Sequence, residues 1–132
     1  MLQMVVILLL LILSFGFSQE IIHTETDENG SLQSITYFKK TQNRIEKVKY
    51  ETYYSNGQKW YERTYKDGEK DGLWTRWWEN GQKEIEWTWK DGKKEGLFIK
   101  WYENGQKNSE YTFKDGKLIS SKNWFSDGSV WE

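Results

Sequence analysis

The sequence predicts an all-β protein, a run of tandem β-hairpins on a 24-residue period joined into one antiparallel sheet. Three observations carry that expectation. Asn-Gly and Asp-Gly pairs, both strong turn formers, alternate along the chain at constant spacing. Between them apolar and polar residues alternate at strand period, and no apolar stripe recurs at helical period. Beyond the first eighteen residues stand 21 aromatic side chains, only 13 aliphatic ones and no alanine. Compact two-layer cores lean on Leu, Ile, Val and Ala, whereas large flat rings suit cross-strand ladders on a sheet.

Composition narrows the function classes. A chain of 132 residues suits one domain. Without cysteine there is no disulfide, no thiolate metal site, no Cys nucleophile and no lipoprotein anchor. Nineteen basic against 20 acidic residues give no reason to expect nucleic acid as a partner. No cofactor motif is present.

The chain opens with "MLQMVVILLLLILSFGFS", residues 1–18, which carry no charged side chain. Val5 to Leu13 form an apolar core, and Gly16 and Ser18 fit the −3 and −1 positions of a secretory cleavage site. Polar Gln19 and Glu20 arrive before the roughly 20 apolar residues that a spanning helix needs. Residues 1–18 are therefore read as a signal peptide, with the mature protein periplasmic, cell-surface or secreted.

The repeats come next. Asn56-Gly57-Gln58, Asn80-Gly81-Gln82 and Asn104-Gly105-Gln106 step by 24, as do Lys66-Asp67-Gly68, Lys90-Asp91-Gly92 and Lys114-Asp115-Gly116. Glu62, Glu86 and Glu110 follow the same interval. Residues 50–121 thus hold three repeats. Residues 19–49 contain a degenerate copy, "ENGSLQSITYFKK", with three extra residues before the next Asn-Gly. Residues 122–132 hold a second, "WFSDG", one residue shorter. Outer copies of an array have one neighbour only and are expected to be atypical.

Each Asn-Gly pair is read as the centre of a two-residue type I′ turn. In the middle copy Glu79 then faces Gln82, Trp78 faces Lys83, Arg76 faces Ile85 and Trp74 faces Trp87. Alternation places Trp74, Trp78, Trp87 and Trp89 on one face, and Leu73, Thr75, Trp77, Glu84, Glu86 and Thr88 on the other. The neighbouring copies add Tyr50, Tyr54, Tyr61, Tyr65, Phe98, Tyr102, Tyr111 and Phe113 to the aromatic face. The polar "KDGEKDG" and "KDGKKEG" segments, residues 66–72 and 90–96, are read as loops joining successive hairpins. The structural turn residues are Asn56, Gly57, Asp67, Gly68, Asn80, Gly81, Asp91, Gly92, Asn104, Gly105, Asp115 and Gly116.

The unit "GLWTRWWENGQKEIEWTWKDGKKEG" and its neighbours resemble the MORN-variant repeats: Gly-Leu, an aromatic pair, Asn-Gly-Gln, Glu, an aromatic, Lys-Asp-Gly and Gly. The resemblance covers about Tyr50 to Lys117. It implies an elongated single-layer antiparallel sheet of consecutive hairpins. Bacterial proteins with such repeats are often labelled antitoxin components, which implies binding of another protein. The export leader departs from that pattern, since most antitoxins meet their toxin in the cytoplasm. MORN proteins have also been linked to membranes and lipids, for which this sequence offers no basic excess.

Catalysis is the weakest reading. Glu84 and Glu86 are neighbours, but the Glu62, Glu86 and Glu110 series recurs once per repeat, as scaffold residues do. His23 sits near the expected N-terminus and is read as part of a flexible segment. The Asp-Gly loops carry Lys66, Lys70, Lys90, Lys93 and Lys94, which oppose Ca²⁺, so no metal is expected. Binding of another protein is favoured, with Trp74, Trp78, Trp87 and Trp89 central and Tyr54, Tyr61, Phe98, Tyr102 and Tyr111 flanking them. Open sheet edges offer a route to strand addition or homo-oligomers. The alternative is an envelope glycan, or a quaternary ammonium group, held by stacked Trp and Tyr. Against both stands a place for each ring in the fold's own core, covered by strand curvature, by residues 19–27 or by a second copy.

Overall fold

The computed structural model describes residues 19–131. The signal-peptide assignment, with its Gly16 and Ser18 cleavage pattern, lies outside the described residues. The fold is one open antiparallel sheet built from β1 (Gln19–Thr26), β2 (Leu32–Lys40), β3 (Ile45–Tyr53), β4 (Lys59–Lys66), the two-residue β5 (Glu69–Lys70), β6 (Gly72–Trp77), β7 (Lys83–Lys90), β8 (Lys93–Trp101), β9 (Lys107–Lys114), β10 (Lys117–Trp124) and β11 (Val130–Trp131). Spatial order follows chain order, with β5 continuing the β6 side of the β4 pairing. Strands pack chiefly against their sequential neighbours, so the sheet is a single layer among the described residues.

Register agrees with the sequence reading along the strands and differs at the turns. Trp74 pairs with Trp87 and Arg76 with Ile85, as alternation requires. Closer to the turn the expected pairs Trp78–Lys83 and Glu79–Gln82 are replaced. Trp77 pairs with Lys83, and the Trp78 N–H donates to the Gln82 carbonyl at 2.8 Å. The Gly81 N–H donates to the Trp78 carbonyl, and Gly81 alone takes positive φ, at 84°. Residues 78–81 are thus a type I turn closed by a left-handed glycine, not a type I′ turn. A one-residue bulge, with Glu84 the extra residue, then restores the register that a two-residue loop would have produced. The bulge also moves Glu84 to the aromatic face, where it meets Arg76, rather than to the opposite face.

The Lys-Asp-Gly segments carry the type I′ turns. Asp67, Asp91 and Asp115 have φ of 50°, 46° and 51°, and the glycines after them are also positive. Lys66 pairs with Glu69 and Lys90 with Lys93 directly across these turns. The expected joining loops are therefore tight hairpins, and strand structure resumes at once. Asp tolerates the left-handed region because its short side chain hydrogen-bonds locally.

The degenerate ends obey the same rules. Gly30 and Gly128 close turns of the Asn-Gly type, each donating to the carbonyl three residues back. The three extra residues divide between a four-residue turn at 41–44 and a β2 one residue longer than β7. Residues 19–26 pair with β2 along the sheet edge instead of covering the aromatic face. His23 accordingly lies in an ordered strand opposite Thr36, not in a flexible segment.

Two ladders lock each unit to the next. Asn56, Asn80 and Asn104 accept from the backbone N–H two residues on, and donate from Nδ2 to carbonyls of Glu79, Glu103 and Ser126 in the following turn. At the opposite rim the Asp71 and Glu95 carboxylates accept the N–H of Asp91 and Asp115. Asp71 and Glu95 thereby have structural partners in the next turn. Among the described residues no cluster of three or more His, Asp or Glu is arranged to hold a metal ion.

Candidate functional site

The site is one whole face of the sheet. Pairing places Tyr50, Arg63, Trp87, Phe98 and Tyr111 on successive strands. Trp74 completes the row opposite Trp87. The rings meet edge to face, tilted or, in one pair, stacked. Tyr61 lies 6.3 Å from Trp74, Trp74 lies 6.0 Å from Trp87 and 5.4 Å from Trp89, Trp87 stacks on Phe98 at 5.6 Å, and Phe98 meets Tyr111 at 5.7 Å. Each such pair contributes about 0.5–1.5 kcal/mol beyond burial. Trp74 is the centre of this cluster at 5 % exposure, and its Nε1–H donates to the Thr64 carbonyl at 2.9 Å. Ile85, at 8 %, is the other buried apolar side chain among the described residues.

Cations cap the rings. Arg63 sits 4.0 Å from the Tyr61 centroid, Lys47 4.2 Å from Tyr65, Lys70 4.4 Å from Trp89 and Lys94 4.9 Å from Phe113. Arg76 and Lys100 flank Ile85 in the adjoining row. Those two cations, with Trp78, Glu84, Ile85, Tyr102 and neighbours, line an open groove of about 420 Å³. Five N–H donors of this face, Arg63 Nε, Arg76 Nε and Nε1 of Trp78, Trp87 and Trp89, have no acceptor within the described chain.

The opposite face is built differently. Lys59, Lys83 and Lys107 each bind the glutamate three residues on, and each ammonium also lies over the tryptophan of the next hairpin, Trp77, Trp101 and Trp124. At the head of this row Glu51, 3 % exposed, accepts from Tyr37 and Tyr53 hydroxyls at 2.8 Å and from Lys49 and Lys59 at 2.8 and 2.6 Å. Burial alone raises its pKa, but hydrogen bonds from Lys49, Lys59 and Tyr37 outweigh that and hold the carboxyl below the usual carboxylate range. Burial and the Glu51 carboxylate push the Tyr37 hydroxyl up to about 12.

The sequence candidates divide accordingly. Trp87, Trp89, Tyr61, Phe98 and Tyr111 are half-buried on the aromatic face, while Trp74 is its buried centre. Tyr54 and Tyr102 belong to the turn rim, where their hydroxyls donate to the carbonyls of Trp77 and Trp124 at 2.8 and 3.0 Å. Trp78, at the same repeat position, has no such bond. Glu84 and Glu86 are separated by the sheet, one bound to Arg76 and the other to Lys83. Sequence reasoning missed Trp60, 45 % exposed beside Tyr54, and the capping cations Lys47, Arg63, Lys70 and Lys94. Alternation applied to every residue, rather than to the aromatics alone, places Arg63 with Tyr61 and Tyr65. The positions of Lys70 and Lys94 follow only from the type I′ turns.

The model of the MORN repeat variant matches residues 48–67, 70–91 and 94–115. The chain belongs to this family. Each MORN unit runs through one Asn-Gly turn and ends in or beside an Asp-Gly turn, so the repeat is a strand–turn–strand hairpin. No curated protein and no solved structure matches the chain significantly.

Proposed function

We propose that this MORN repeat protein is an exported, non-enzymatic scaffold, antitoxin-like in mode, that binds another protein through its aromatic face. The observation that carries the reading is the unbroken row from Tyr61 to Tyr111 on a face that no second layer covers among the described residues. Large apolar patches on soluble proteins mark interaction sites, and Trp, Tyr and Arg dominate binding energy in interfaces. The placing of Glu84 and Glu86, adjacent carboxylates in the sequence, on opposite faces of the sheet supports the non-enzymatic reading. The uncharged apolar stretch of residues 5–13 supports export.

Tagged protein, expressed from its full sequence in native cells, is recovered with its bound proteins from envelope and secreted fractions. Trp87→Ala is expected to lose a stoichiometric partner while keeping β-type circular dichroism. Leu73→Ala on the opposite face is expected to keep the partner. A Trp87→Ala protein that folds and retains every partner overturns the reading. A second reading, an envelope glycan stacked on open rings, rests on Trp60 and Trp131, at 45 % and 63 % exposure. Retention on cell-wall glycan that disappears with Trp60→Ala supports it. The rings of the main ladder serve it poorly, because the chain's own cations already cover them.

A further inference from the structure

The two faces differ in charge as well as in shape. On the polar face Lys49, Lys59, Lys83 and Lys107 each have a glutamate partner. On the aromatic face Lys47, Arg63, Lys70, Lys94 and Lys100 make no ion pair among the described residues. The carboxylate set among them, Glu84, is already bound to Arg76 at 2.5 Å. A chain of net charge −1 thus gathers unpaired positive charge on its aromatic face.

From this we infer that the partner presents an acidic, extended polypeptide segment, whose carboxylates meet Arg63, Lys70, Lys94 and Lys100 while its apolar residues cover the rings between them. The inference rests on the protein-binding reading of this face and adds the chemistry of the partner. Carboxylates are acceptors only and carry the charge opposite to that of the unpaired cations. The repeat also sets a spacing. Lys70 and Lys94, like Arg76 and Lys100, stand one repeat apart in the sheet, two strands or about 10 Å. A segment laid across the strands in the polyproline II conformation rises about 3.1 Å per residue and turns the same side to the face every third residue, about 9.3 Å on, so an acidic residue at every third position keeps step.

A polypeptide fits better than a nucleic acid or an anionic bilayer. The Asn-Gly rim of the same sheet bears Glu79, Glu103 and Asp127, and residues 54–58, 78–82, 102–106 and 125–129 contain no cation. A flat anionic surface or a continuous phosphate backbone meets this acidic rim, whereas a single segment lying along the face does not.

The test is fluorescence titration of the full chain with four probes. These are a (Glu-Ser-Val)5 peptide, its (Lys-Ser-Val)5 counterpart, a dT oligonucleotide and phosphatidylglycerol vesicles. The acidic peptide is expected to bind, and to weaken as salt rises from about 50 to about 500 mM. Lys70→Glu combined with Lys94→Glu is expected to weaken it about tenfold or more, as loss of two charge-assisted contacts implies. Lys122→Glu, at a residue that pairs with Glu110 on the polar face, is expected to leave it unchanged. Equal binding of the acidic and basic peptides, or no binding of the acidic one, overturns the inference. Tighter binding of the oligonucleotide or the vesicles also overturns it, in favour of those anions. The protein-binding reading falls separately, when Trp87→Ala retains its partners in the recovery experiment.

Discussion

At the residue scale, Glu51 shows how a sheet with no second layer buries a charge. Its carboxylate is enclosed by its own neighbours and accepts from two lysines and two tyrosines. Because its folded pKa lies below the ordinary 4.5, the stability it contributes is fully present above that value. It is lost as pH falls from about 4.5 through the lower folded value. Tyr37 acts in the opposite sense: its pKa is raised from 10.0 to about 12, so its contribution is complete below pH 10 and fades as pH rises towards 12. Urea unfolding between pH 7 and pH 3 is expected to show a steeper acid loss for the natural protein than for Glu51→Gln. Equal slopes would sink this assignment. The glutamate is visible in the sequence, but its four partners come from β2, β3 and β4 and meet only when the register is fixed.

At the element scale, the unit is a hairpin with two unlike ends. The Asn-Gly end is a type I turn whose asparagine reaches into the next copy, and a Cβ on Gly81 would stand 3.1 Å from Gln58 Oε1 of the preceding copy. The Asp-Gly end is the tighter turn, followed by a bulge at Gly72 or Gly96. Gly72 differs from Gly68 in a way that a simple substitution tests. Both have positive φ, 85° and 81°, but a Cβ at 72 would lie 2.7 Å from Thr64 Oγ1, whereas nothing lies within 4 Å at 68. Thr64 Oγ1 itself donates towards the Asp71 and Leu73 carbonyls, so it is not free to withdraw. Gly68→Ala is expected to cost about 1 kcal/mol from backbone strain, and Gly72→Ala about 2–3 kcal/mol. Thermal unfolding of the two variants measures the difference, and equal losses would remove the close approach as its cause. The third copy, with Ser120 in place of that glycine, has a register shift of one residue where the earlier copies have two.

At the scale of the whole molecule, stability is distributed along the array, because each hairpin touches mainly its neighbours. Damage at the centre is expected to exceed damage at an end. Trp74→Ala removes the buried ring that contacts Tyr61, Tyr65, Trp87 and Trp89, and is expected to cost about 3–5 kcal/mol. Phe125→Ala removes a ring that is 49 % exposed and touches Trp131, and is expected to cost about 1 kcal/mol or less. Urea midpoints compare the two, and similar losses would argue for a single cooperative block in place of a chain of units.

The all-β class, the 24-residue unit, the pairs Trp74–Trp87 and Arg76–Ile85, and the face on which the aromatic residues gather were legible in the amino-acid order alone. These follow from period-two alternation and from turn residues repeated at fixed spacing, both local properties of the chain. Which glycine pair makes the type I′ turn emerges only in three dimensions, because Asn-Gly and Asp-Gly have the same intrinsic preference. At the Asn-Gly end the bonds from asparagine to the next copy accompany the wider turn. Only the structure separated Trp74, enclosed by rings from the strands on either side of it, from Trp87 and Trp89, which keep part of their surface in solvent. The same holds for the unpaired cations over the rings: charge sums to −1 along the chain, and its division between two faces is a matter of register and bulges.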